Sequence, residues 1–167
     1  MPEISLAAIW PGPPLDEAAR KWRSDPGIAG LVERLAARRT SEKEAEQAIV
    51  GLVASSGAAK RSKLLALLAG LVETINAERA EVIVGIERYG RGQKQLAAAL
   101  REENAKLDAM RADAKADPAN FTELSNRLLW DLRIFDERQK SLRFVCEVPV
   151  LIEQRLFALS RAIQKAL

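Results

Sequence analysis

The chain of 167 residues holds no histidine, one cysteine and one tyrosine, which closes most routes to side-chain chemistry before any fold is considered. Without imidazole there is no Ser–His or Cys–His nucleophile and no histidine metal ligand. Carboxylate metal sites of helical bundles pair Glu with Glu-x-x-His, and that partner is missing too. No Gly-x-x-x-x-Gly-Lys-Ser/Thr loop occurs to cradle phosphate. The single thiol, Cys146, sits in Phe144-Val145-Cys146-Glu147-Val148-Pro149-Val150 among mostly apolar neighbours. A reactive thiolate needs a cation or a helix N-terminus beside it, so Cys146 reads as a buried structural thiol. The expectation is a non-enzymatic protein with no catalytic residue, no metal ligand and no cofactor.

Binding chemistry has more candidates. Gly85, Gly90 and Gly92 lie beside Arg88, Tyr89, Arg91 and Lys94, a basic cluster carrying an aromatic ring and suited to an acidic partner. The competing reading is structural: small residues let a facing helix approach closely. Trp10 belongs to Trp10-Pro11-Gly12-Pro13-Pro14, a stiffened segment that either offers the indole to a partner or folds it back on its own chain. With Phe144 and Pro149 from the facing segment, the candidate partner-binding residues are Trp10, Arg88, Tyr89, Arg91, Lys94, Phe144 and Pro149.

These residues must be positioned by helices. Apolar residues make up 48% of the chain but aromatic ones only 5%, the composition of a helical bundle. Three prolines and a glycine make residues 1–24 an arm, with a short helix over Leu15 to Trp22. Residues 25–58 carry two short helices: Asp25-Pro26 caps and opens the first, and Ser41-x-x-Glu44 is a capping box for the second. Ser55-Ser56-Gly57 ends or kinks that helix.

From residue 59 a coiled-coil stripe runs through Leu65, Leu68, Val72, Ile75, Val82, Ile86, Tyr89, Leu96, Leu100, Leu107 and Met110. Asp117-Pro118 repeats the cap-and-proline signal, and the stripe resumes at Phe121, Leu124, Leu128, Leu132, Phe135, Leu142, Val145, Ile152, Leu156, Leu159 and Ile163. A short connection makes the two helices antiparallel. This alignment sets Leu107 opposite Leu128, Gln93 near Gln139, Tyr89 opposite Val145, Gly85 opposite Pro149 and Arg79 near Glu153. The predicted fold is all-α: a long antiparallel helical hairpin over 59–167 that turns near 116–119, with the short N-terminal helices packed near its open end.

Leu64, Leu67, Leu71, Ile83, Leu129, Ile134, Val148 and Leu151 flank the stripe and need cover. Residues 15–56 are expected to cover some, and a protein partner or a second copy in a homodimer the rest. The function that follows is protein–protein interaction, as an adaptor, scaffold subunit or helical chaperone. The alternative is peripheral binding to a membrane or polymer surface through Lys60, Arg61 and Lys63 beside the apolar run Leu64 to Val72. A net charge of +3 with acids interleaved among bases does not suit nucleic acid. No run approaches the roughly 20 apolar residues of a transmembrane helix. With no signal-peptide pattern at Met1-Pro2-Glu3-Ile4, a cytoplasmic location is expected.

Overall fold

The computed structural model describes residues 3–15, 17 and 21–167, and every regular element among them is helical. These are α1 (Leu6–Ile9), α2 (Pro26–Ala36), α3 (Glu42–Ser56), α4 (Lys60–Ala112) and α5 (Pro118–Ala166), with 3₁₀ turns at Trp22–Ser24 and Gly57–Ala59. The short helix expected over Leu15 to Trp22 falls largely outside the described residues.

The helix boundaries follow from local chemistry. Asp25 Oδ1 accepts from the amides of Gly27 and Ile28 at 2.9 and 3.2 Å, with Pro26 in the first turn where no amide is missed. Both halves of the Ser41/Glu44 capping box form: the Glu44 amide donates to Ser41 Oγ, and the Ser41 amide donates to Glu44 Oε2. The bonds from Ser41 hold the Glu44 carboxyl below its usual range. A carboxyl depressed in this way favours the fold above its ordinary titration range, and that support fades as the pH falls through its lowered value. Gly57 ends α3 at a φ of 51°, a left-handed angle open to glycine, and the chain turns there into α4.

Two compact units share the long helices: residues 1–82 with 149–167, and residues 83–148. In the first, Ile28, Val32 and Leu35 of α2, Ile49 of α3, Leu64, Leu67, Leu68, Leu71 and Ile75 of α4, and Ile152, Leu156 and Ile163 of α5 are all fully buried. Leu64, Leu67 and Leu71 therefore obtain their cover within this unit. Polar contacts tie the covering segments down. Trp22 Nε1 donates to Glu73 at 3.0 Å, the Ile4 amide to Asn76 at 2.9 Å, and Ser160 Oγ to the Ile9 carbonyl at 2.7 Å. Arg155 donates through Nε and Nη2, at 2.9 and 2.6 Å, to the Leu35 carbonyl, so a cation on α5 closes the C-terminal end of α2. Arg79 pairs with Glu153, as the hairpin alignment predicts.

In the second unit α4 and α5 form the antiparallel hairpin. The turn is closed by Asp113, whose carboxylate accepts from the Lys115 amide at 2.9 Å, and by Asp117, which caps α5 through the Ala119 amide. Leu100, Leu107 and Leu128 form its core, with Leu96, Phe121, Leu124 and Phe135 packed around them. Leu107 and Leu128 do share one cluster. The α5 stripe, however, steps from Leu128 through half-buried Asp131 to Phe135, leaving Leu132 and Val145 exposed. Gln93 Nε2 reaches the Phe135 carbonyl at 3.2 Å, one turn closer to the hairpin turn than the expected Gln139, which is exposed.

The glycines also differ from expectation. A Cβ at Gly85, Gly90 or Gly92 would meet nothing within 4 Å, so no close helix approach requires them. The position that does is Gly70, where a Cβ would lie 2.5 Å from Val32 Cγ2 and 2.9 Å from the Trp22 ring. Overpacking of this kind costs about 1–3 kcal/mol. Gly70→Ala should therefore lower stability by that amount in urea denaturation, whereas Gly85→Ala should raise it by up to about 1 kcal/mol through helix propensity. Equal effects of the two substitutions would contradict the packing described.

Candidate functional site

The hairpin of the second unit carries polar residues in its seam. Gln93 and Glu103 are both at least nine-tenths buried. Glu103 is met by Arg127 at 3.1 Å, and Arg127 in turn lies 3.8 Å from Asp131 on its own helix. Tyr89 is half-buried and its hydroxyl donates to the Arg138 carbonyl at 3.1 Å, so its tip sits two turns from Val145. A ladder of side chains thus holds the register, because each reaches a backbone or charged group at one height only.

The outward side of α5 is different. Seam residues Leu128, Phe135 and Leu142 fix which way the helix faces. Trp130 and Phe144, each two positions beyond a seam residue, point about 200° away from the seam. Trp130 is 63% exposed, Phe144 70% and neighbouring Leu129 64%. Between the aromatics, Arg133, Glu137 and Lys140 are exposed at steps of three and four residues, giving one stripe: Trp130, Arg133, Glu137, Lys140, Phe144. Lys140 lies 2.7 Å from Asp136 and 3.9 Å from Glu137. The hydrogen bond that Lys140 donates to Asp136 and the charges of both acids hold the ammonium above its ordinary range. Arg133, Lys140 and Arg143 balance Asp136, Glu137 and Glu147, so the exposed apolar side chains sit among charges that nearly cancel.

The residues singled out from the sequence scatter. Arg88, Arg91 and Lys94 are exposed on α4, and Tyr89 is committed to the hairpin. Phe144 belongs to the outward stripe, and Pro149 is half-buried inside α5 at the start of a segment belonging to the other unit. Trp10 is only 5% exposed: its Nε1 donates to the Pro13 carbonyl at 2.9 Å and its ring lies over Gly12. It folds back and is no free anchor. Leu64, Leu67, Leu68 and Leu71 beside Lys60, Arg61 and Lys63 are core, so that basic cluster lacks the exposed apolar surface a bilayer contact needs. Trp130 escaped the sequence reading. Its signal was a tryptophan directly after Leu128-Leu129 with no place in the heptad stripe.

No helix among the described residues is long and apolar enough to cross a membrane, and no group of three metal-ligating side chains occurs there. No protein-family model, curated protein or solved structure matches this chain.

Cys146 is exposed, contrary to the expected buried thiol, although at four residues from half-buried Leu142 it shares that residue's side of α5. An aromatic disulfide reagent should titrate one thiol in the native protein, at a rate within about tenfold of free cysteine. A thiol that reacts only after denaturant is added would contradict this placement.

Proposed function

We propose that the protein is a non-catalytic protein-binding module, acting as an adaptor, scaffold subunit or helical chaperone, and that the outward face of α5 is its docking surface. The carrying observation is the pair of exposed aromatics, Trp130 and Phe144, with Leu129 on one helix face. Large apolar side chains left in water in this way are favoured anchors for a partner, because removing them from water supplies most of the binding free energy at such surfaces. Near-neutral charge around them supports a protein partner over an anionic polymer or bilayer, where a surplus of Lys and Arg would be needed.

Affinity capture from the native cell, quantified by mass spectrometry, tests this reading. Wild-type bait should retain one or more proteins that a Trp130→Ala/Phe144→Ala bait of equal helicity loses at least about tenfold. Identical protein sets on the two baits would remove this face from the interaction.

A further inference from the structure

The seam of the hairpin in the second unit holds two buried polar atoms, Gln93 Oε1 and Glu103 Oε2, that have no hydrogen-bond partner among the described residues. Both belong to side chains at least nine-tenths buried. An unpaired acceptor withdrawn from water is costly, so the observed packing leaves a deficit at each.

The facing helix shows the other half of this mismatch. Phe121, Leu128, Phe135 and Leu142 recur at heptad spacing, and a seam is completed by one residue between each pair, either three or four positions on. The observed phase uses the residues three on, Leu124 and Asp131. It turns a carboxylate inward, its side chain 26% exposed, while Leu132 beside it is 44% exposed. The residues four on are Ser125, Leu132, Gln139 and Cys146. They enter the seam when this segment of α5 turns about its own axis by about 50°, half of the 100° between successive residues, and the four shared apolar residues stay in it. Pro149, which follows the segment within α5, lacks the amide that would bond the preceding turn, so the helix has a soft point at which the twist is absorbed.

The bond from Gln93 to the Phe135 carbonyl fixes the heights. Counting along both helices from that pair sets Leu96 level with Asp131 and Leu132, and Glu103 level with Leu124 and Ser125. The turned phase therefore places Leu132 against Leu96 and the Ser125 hydroxyl beside Glu103, and brings the Gln139 amide one layer from Gln93. What opposes it is Arg127. Its Nε lies 3.1 Å from Glu103 Oε1 and 3.8 Å from Asp131 Oδ2, so one guanidinium compensates both inward carboxylates of the observed phase. Turning α5 carries Arg127 away from Glu103.

We propose that the hairpin is a two-phase device latched by Arg127. With the guanidinium bridging Glu103 and Asp131, α5 holds the observed phase. With that bridge broken, the segment turns, Asp131 leaves the seam and Leu132 replaces it. Trp130, Leu129 and Phe144 lie on the same segment, so the latch also sets the direction in which they point.

Cys146 reports the phase without an engineered label, because it is exposed in one and faces α4 in the other. Arg127→Gln on the full chain should slow its reaction with an aromatic disulfide reagent at least about tenfold at unchanged helicity. Adding Asp131→Leu gives the observed phase an apolar residue at that layer and should return the wild-type rate. In a Leu96→Cys/Leu132→Cys/Cys146→Ser background, Arg127→Gln should speed closure of the interhelical disulfide at least about tenfold. Should Arg127→Gln lose helicity, Glu103→Gln breaks the same pair without leaving a buried charge and should protect Cys146 likewise. A side chain that merely stabilises the hairpin predicts the opposite sign, since loosening the seam exposes the thiol further. Cys146 reactivity that stays equal or rises in the folded variants, or protection that Asp131→Leu does not reverse, would overturn the proposal.

Discussion

A helix the length of α4 gains little net stability from its backbone hydrogen bonds, since the peptide groups exchange one set of bonds with water for another. What keeps it folded is cover for its apolar side chains, and the cover must be supplied turn by turn. In the first unit Leu64, Leu67, Leu68, Leu71 and Ile75 form one buried stripe of α4, and Ala66 and Ala69 on the other side of the helix are buried as well. A single facing helix could not achieve that. The segments carrying Trp22, Ile28, Val32, Leu35 and Ile49 supply the additional surface, and the contact at Gly70 shows how closely they approach.

The polar contacts of this unit make sense in light of that requirement. Arg155 on the Leu35 carbonyl, Trp22 on Glu73 and Ser160 on the Ile9 carbonyl each join a covering segment to one of the long helices. Burial pushes the Arg155 guanidinium down, opposed by the charges of Glu78 and Glu42. Its two hydrogen bonds compensate for water it has lost, and they also satisfy a carbonyl that the end of α2 would leave open. Apolar burial holds the segments on, and these directional bonds select one seating among many of similar area.

In the second unit only two helices share the work. Their seam is narrow, so one side of each helix is covered and the other is left to water. On α5 that outer side carries Trp130, Leu129 and Phe144 where charged residues would cost nothing. The contrast between a unit that covers its leucines internally and one that leaves its aromatics outside is the basis of the functional proposal.

The all-α class, the hairpin turn and three helix starts were legible in the chain itself. Asp25, Ser41 and Asp117 act on amides two or three residues away, and Leu100 with Leu107 on α4 and Leu128 with Phe135 on α5 repeat at heptad spacing, so the information is local. The phase of α5 was not legible. Leu132 and Asp131 both fit a three-four spacing, and only packing against α4 decided that Asp131 turns inward and Leu132 outward. The exposure of Trp130 follows from that phase as well. Contacts such as Trp22 with Glu73, 51 residues apart, and Arg155 with Leu35, 120 apart, belong to the tertiary structure for a further reason. Several apolar faces in this chain are nearly equivalent in composition, and which of them are covered is set by three-dimensional fit, a quantity no local spacing contains.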